Sequence, residues 1–490
     1  MAALAESKSR KSAKTRSSRK HAAPDGAIRV WEDDPGSGIE LALDAPPDLF
    51  AAPLAYDFLD AAPEPSGDTG SFAFRFWTAA AALRRGADFW APRVPGGAWQ
   101  LGPVLPVIMD DGEDLNAFYD RQALHFFHGK GADGGPVFSG ASPDIVLHEM
   151  GHAILDALKP QLFDVASQEA AAFHESFGDM SAILGALQIP SLRTAILADT
   201  GGHLARNSRL SRLAEQLGAA LRAERPGSVD ADCLRNAANS FSYLDPSTLP
   251  SRAPAAQLSS EAHSFSRVFT GAFLEALAAM LTTHAAKPAK PTADELGEVS
   301  QQMRDILVEG IVNAPVVSNF MSQVAAGMVL ASARVDKNYP AVLREAFTRR
   351  SILSLQTSML TASKPVAALA TAAAEALGDL PLGKLALPAA HYGLDEPLTV
   401  STASHPRRTL ATAARTDLTP AEPSSAVSAA TQFVDDLFAQ GRVETAGSDR
   451  GARGIAARSP RLRTHRVVRE DGALTLKRIL FDCGCGCGCH

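Results

Sequence analysis

The sequence predicts an α+β fold, with a β-rich N-terminal lobe, a mainly helical lobe after it and a C-terminal extension. Three observations predict it. Residues 28–142 are rich in Pro, Gly and Asp and carry only short apolar runs, Val104–Met109 and Ala123–Phe127, around an Asp110-Asp111-Gly112 turn signal. Residues 143–380 read as mainly helical. From about residue 380 the composition shifts to Pro, Ala, Ser and Thr. With 490 residues, 46% hydrophobic and 21% charged, the chain is long enough for two or three domains and a sizeable core.

Taken in order, residues 1–27 are expected to be a disordered basic tail. Lys8, Arg10, Lys11, Lys14, Arg16, Arg19 and Lys20 stand against Glu6 among serines. A solvated tail fits this composition better than a nucleic-acid site. It has no apolar h-region, so the expected location is the cytoplasm. The net charge of −7 argues for no particular partner. Residues 28–142 suit a β-rich lobe forming one wall of a cleft.

The chemistry begins at Asp144–Leu155, which contains His148-Glu149-Met150-Gly151-His152. On a helix, His148 and His152 stand one turn apart on one face and can bind one metal ion from the same side. Glu149 leaves the helix about 100° round from His148. It is placed to act as a general base toward a metal-acidified water rather than as a ligand. The pentapeptide alone equally describes a buried helix with two hydrogen-bonded histidines. Its flanks favour the metal: Val146, Leu147, Met150, Ile154, Leu155 and Leu158 make a buried apolar face, and Ser142-Pro143-Asp144 supplies a start with Ser142 as N-cap.

Two histidines leave such an ion short of a third protein ligand. Glu169–Met180 is a second helix-forming segment, and Lys159-Pro160 gives the chain room to turn back antiparallel. Glu175 and Asp179 share a face, so Glu175 can complete a His₂Glu site. Asp179 can accept a hydrogen bond from a ligand histidine. Glu169 is a weaker competitor, because no acid follows four residues on. Further along, Ile311–Ala333 carries no charge over 23 residues, but Asn313, Pro315, Asn319 and Gln323 interrupt it. It is expected to be a buried helix rather than a membrane span.

These motifs resemble the thermolysin-like zinc metallopeptidases of the gluzincin group. His148-Glu149-Met150-Gly151-His152 followed by Glu175-Ser176-Phe177-Gly178-Asp179 is similar to that family's ligand pattern. Asn116-Ala117-Phe118-Tyr119-Asp120 resembles its substrate-binding edge strand. Glu261–Arg267 falls where the family places a transition-state histidine, here His263, and Arg235 is similar to its substrate-carbonyl arginine. The resemblance covers about residues 100–350. It implies a two-lobed fold with the active site between the lobes, and Zn²⁺ held by His148, His152 and Glu175. It further implies endopeptidase activity on peptides or proteins, with Glu149 as base, His263 as oxyanion stabiliser, and Asn116, Ala117 and Arg235 on the substrate main chain. The sequence departs from the family in three places. Phe163 stands where a tyrosine is usual, Leu258 replaces the aspartate behind the histidine, with Glu261 a substitute, and the acids of the double calcium site are largely missing. An alternative expectation is therefore a weak or inactive zincin acting as a metal- or thiol-responsive binding protein.

Residues 381–482 are expected to hold a linker, a short helix near Ala430–Gln440, and a hairpin of Thr464–Arg469 and Ala473–Phe481 around Glu470-Asp471-Gly472. Residues 483–490 form a separate tail, in which Cys483, Cys485, Cys487 and Cys489 alternate with glycine before His490. Four thiols on a flexible end suit a soft metal, as an accessory site. Nothing suggests a disulfide-stapled fold.

Overall fold

The computed structural model describes residues 26–51, 53–94, 99–100, 102–363, 380–404, 411–445 and 463–483. The expected basic tail up to residue 25, and Cys485, Cys487, Cys489 and His490, lie outside them.

The N-terminal part mixes strands with a long helix. β1 (Ile28–Trp31) and β2 (Glu40–Leu43) pair antiparallel, and β3 (Ala55–Phe58) precedes helix α1 (Phe72–Trp90). The strand-like reading of this lobe had no place for α1. Its first turn, Phe72-Ala73-Phe74-Arg75-Phe76, alternates like a strand. The following alanines and the Ser71 cap on the Phe74 N–H nevertheless make it helical. Then come β4 (Val104–Ile108), β5 (Ala117–Tyr119), β6 (Leu124–Phe126), β7 (His128–Lys130) and β8 (Pro136–Phe138).

The helical part follows as α2 (Pro143–Leu158), α3 (Gln161–Asp164), α4 (Gln168–Ala186), α5 (Pro190–Thr200), β9 (Arg212–Leu213), α6 (Glu215–Glu224), β10 (Arg235–Asn236), α7 (Ala262–His284), α8 (Ala293–Val312), α9 (Phe320–Ser332), α10 (Tyr339–Arg349) and α11 (Leu355–Ser363). Pro143 opens α2 at its first position, but the Ser142 hydroxyl does not cap it. It donates instead to Asp34 Oδ2 at 2.7 Å. The apolar run expected as one helix over Ile311–Ala333 is two. It breaks between Val312 and Phe320, where Pro315 cannot donate to a continuing ladder.

Helices α2 and α4 form the centre of the molecule. Each side chain from Pro143 to Asp156 and from Gln168 to Ala186 is buried. Their backbones approach closely because both carry glycine at the crossing: a β-carbon on Gly151 would stand 2.9 Å from Gly178 Cα.

The described residues from Gly383 to Cys483 pack onto this centre with a sheet of their own. β11 (Gly383–Leu387), β12 (Leu398–Thr402), α12 (Ala426–Ala439), β13 (Val443–Glu444), β14 (His465–Glu470) and β15 (Ala473–Arg478) lead to β16 (Phe481–Asp482). One five-stranded sheet has the order β11-β12-β15-β14-β13. Its β14–β15 hairpin turns through Asp471 and Gly472, both at positive φ (49° and 83°), as a tight two-residue turn requires. Ala166 N–H donates to Ser401 O, and Gln168 Nε2 to Asp436 Oδ2, tying this sheet and α12 to the start of α4. A second five-stranded sheet runs β16-β5-β6-β4-β3, so Phe481 and Asp482 form its outer strand, antiparallel to β5.

Candidate metal centre

Each of the two histidines of α2 has one ring nitrogen committed to the protein. His148 Nδ1–H donates to Asp179 Oδ1 at 3.0 Å. His152 Nδ1 lies 3.1 Å from Nδ1 of His174, so one of that pair donates to the other. Burial first, then the neighbouring His148, His174 and His263, push His152 well below its usual range and keep it neutral. With His148 neutral and His152 as the donor of its pair, both Nε2 atoms carry a lone pair on the side of Glu175. Burial lowers the proton affinity of His148, but Asp179 and Glu175 outweigh it and raise that affinity. His148 Nε2 is 3.3 Å from Glu175 Oε2, and His152 Nε2 is 3.8 Å from Glu175 Oε1.

Neither Nε2 nor Glu175 Oε2 has a hydrogen-bond partner, although all three atoms are buried. The ligand atoms of His148, His152 and Glu175 lie within 4.8 Å of one another. Buried polar atoms left unsatisfied are costly. Three of them converging on one point form a group able to hold a metal ion, and two imidazoles with one carboxylate are a donor set suited to zinc. Both carboxylate oxygens of Glu149 are likewise buried without a partner. Burial above all, with the nearby Cys483 and Glu175 adding to it, raises its pKa well above the ordinary glutamate value.

The surrounding residues fix this geometry. Arg235 donates from Nε and Nη2 to Asp179, at 3.1 Å to Oδ2 and 2.8 Å to Oδ1. Burial alone would raise Asp179. The Arg235 charge and the His148 bond outweigh it and hold the carboxyl well below its usual range. Glu169, the competing acid, faces elsewhere: it accepts from Tyr243 Oη at 2.6 Å and from Met321 N–H at 2.9 Å.

The edge strand is keyed to the same helix. Tyr119 Oη donates to Asp156 Oδ2, and Arg121 grips Asp156 through Nε and Nη2, one turn of α2 beyond His152. Asn116 Oδ1 accepts from the Ala117 N–H. His263, near the start of α7, has Glu261 Oε1 2.6 Å from Nδ1 and Glu175 Oε2 3.3 Å from Nε2. Burial raises the Glu261 carboxyl, but the His263 charge and hydrogen bond and the Ser264 N–H bring it down to about 2. Glu261 thus stands behind His263. Phe163 is buried against Phe481, Tyr119 and His174, so its ring packs the wall of the site.

The groove between β5 and this ligand group holds Phe481–Cys483 of the same chain. Cys483 N–H donates to Ala117 O at 3.0 Å, Arg235 Nη1 donates to Cys483 O at 2.6 Å, and His263 Nε2 lies 2.7 Å from Asp482 O. Asn116, Ala117, Arg235, His263 and Cys483 are therefore brought together around the group formed by His148, His152 and Glu175. Sequence reasoning missed His174, although its place next to Glu175 on α4 was a signal, and it missed Arg442, which binds the Asp482 carboxylate.

No protein-family model matches the chain, and no match is found among curated proteins. Among solved structures it is similar to the "Precursor of Protealysin, Metalloproteinase from Serratia proteamaculans", with 17% identity and a TM-score of 0.38 over 59% of this chain and 82% of that one.

Proposed function

We propose that the chain is a zinc-dependent endopeptidase that hydrolyses peptide bonds in extended substrates. The observation that carries this reading is the convergence of three buried, unpartnered ligand atoms, from His148, His152 and Glu175, beside a Glu149 carboxylate with no partner of its own.

When bound, the ion would supply Lewis-acid polarisation of a carbonyl and acidify a water. Glu149 takes the proton of the attacking water and returns it to the leaving amine; its raised proton affinity suits that exchange. His263 Nε2 donates to the carbonyl oxygen as negative charge develops there, with Glu261 holding the ring. Arg235 Nη1 takes the next carbonyl along, and Ala117 O takes the amide between them. Asp179, held low by Arg235, keeps His148 in the tautomer that presents Nε2.

A second reading, a metal- or thiol-responsive binding protein of little turnover, is favoured by one observation: the groove is filled by the chain's own residues. Metal analysis of the purified protein, with turnover of a quenched peptide library by wild type and Glu149→Gln, tests both. Retained zinc with turnover lost only in Glu149→Gln supports the peptidase. Retained zinc with equal absence of turnover in both supports the binding protein.

A further inference from the structure

Residues Phe481–Cys483 lie in the groove as a substrate would, and their register is specific. Phe481 pairs with Tyr119 and Asp482 with Phe118, antiparallel to the edge strand. Within this strand the Asp482–Cys483 peptide is held from both sides. Its carbonyl oxygen lies 2.7 Å from His263 Nε2, and that same nitrogen is 3.3 Å from Glu175 Oε2, which brings the carbonyl to the edge of the ligand group. Its amide N–H donates to Ala117 O, and the following carbonyl accepts from Arg235 Nη1.

The flanking side chains are fitted as closely. The Phe481 ring stacks on His174 with centroids 3.9 Å apart and on His152 at 5.0 Å. The buried Asp482 carboxylate takes 2.8 and 3.0 Å contacts from Arg442 Nη2, and Cys483 Sγ lies 3.3 Å from Asn116 Oδ1. A strand that merely covered the groove would need backbone pairing. It would not need two successive carbonyls, Asp482 O and Cys483 O, placed on two different side chains, His263 and Arg235, beside the ligand group.

We propose that this strand is the site's own first substrate, cut in cis between Asp482 and Cys483 to release residues 483–490. The proposal rests on the metallopeptidase reading and names its substrate. Water adds its hydroxyl to the Asp482 carbonyl carbon, and Glu149 carries the water's proton to the Cys483 nitrogen. The C–N bond breaks, leaving a new carboxyl-terminus on Asp482 and a free amine on the peptide that begins at Cys483. The substrate class follows from the same contacts: an extended strand with an acidic residue before the cut, read by Arg442, and a small residue after it, beside Asn116.

The test is the intact mass of the full-length chain, expressed and incubated with zinc. Wild type is expected to lose the mass of residues 483–490, to an extent independent of protein concentration. Glu149→Gln keeps them, and so does Cys483→Pro, which has no N–H to give Ala117 O. Arg442→Ala is expected to slow the cut by about tenfold or more, as for loss of a charge-assisted hydrogen bond. A readout without metal accompanies it: in zinc-free Glu149→Gln, amide exchange in Ala117–Tyr119 is slow, and it quickens when Cys483→Pro is added. If zinc-loaded wild type keeps residues 483–490 while it turns over library peptides, self-cleavage is wrong and the peptidase reading stands. If it keeps residues 483–490 and turns over no library peptide either, both fall.

Discussion

Gly178 lies directly against the imidazole of His148: a β-carbon at position 178 would stand 2.6 Å from both Cε1 and Nδ1 of that ring. The position of the His148 ring, a candidate ligand on α2, is thereby set by the absence of a side chain on α4. Gly178→Ala should fold, because α4 gains helix propensity, but the ring must move off Asp179 and out of line with Glu175. Zinc affinity is expected to fall by about 10-fold or more, the loss typical of disturbing a ligand's orientation. Chelator competition measures it, and an unchanged affinity would show that the ring position is set by other contacts.

Removing the ligands should act in two tiers. His148→Ala, His152→Ala and Glu175→Ala should each lose bound zinc in metal analysis, since a retained catalytic ion needs three protein ligands. Asp179→Ala and His174→Phe leave the ligands in place but remove a partner of His148 or His152, so they should retain zinc about 10–100-fold more weakly. Glu169→Gln should bind zinc normally. Loss of zinc in that variant would reassign the third ligand.

His263 and Glu261 should separate in kinetics. His263→Ala is expected to cost on the order of 10²–10³ in kcat on a peptide substrate, as for loss of one oxyanion donor. Glu261→Gln keeps a hydrogen-bond acceptor on Nδ1 but removes the charge, and should cost less. Equal losses in the two would mean that the charge of Glu261, rather than the donor itself, carries the effect.

Glu169 gives a pH prediction remote from the metal ligands. Burial, outweighing its bonds from Tyr243 and Met321, raises it from 4.5 to about 8. Between those values the folded chain holds a proton that the unfolded chain has released, so this group's contribution to stability falls as pH rises and levels off above about 8. Glu169→Gln resembles the protonated form: its amide can donate to Tyr243 Oη while its oxygen accepts from Met321 N–H. Wild type should therefore lose stability relative to Glu169→Gln between about pH 5 and about pH 8, by roughly 1.4 kcal/mol for each step of one in pH. Parallel denaturation midpoints across that range would refute it.

Much of the candidate metal centre was legible because helical spacing is local. His148 with His152, and Glu175 with Asp179, are each one turn apart, and the structure packs the two helices face to face. The rest was written in residues whose role depends on tertiary neighbours. His174 shares α4 with Glu175, but that it bonds His152 follows only from how α4 lies on α2. Helix α1 was hidden by aromatics at alternate positions, which read as a strand until the alanines after them are weighed. Strand β16 is two residues long, too short for any periodicity, and its pairing with β5 spans more than three hundred residues of chain. A cysteine-rich ending pointed to soft metals, whereas the first of those cysteines meets the site chiefly through its backbone.

The place of β16 at the margin of its sheet bears on how this protein behaves toward other copies of itself. An outermost strand offers a row of open N–H and C=O groups on which any extended chain can add, the usual start of edge-to-edge association. Here β5 would be that strand, and Phe481 and Asp482 cover it. Both residues lie on the retained side of the Asp482–Cys483 bond, so the cover stays attached whether or not the last eight residues leave. A peptide entering the groove has to lift a two-residue strand that remains tethered beside it. An aggregating neighbour, which would need a longer stretch of bare edge, meets the same strand first.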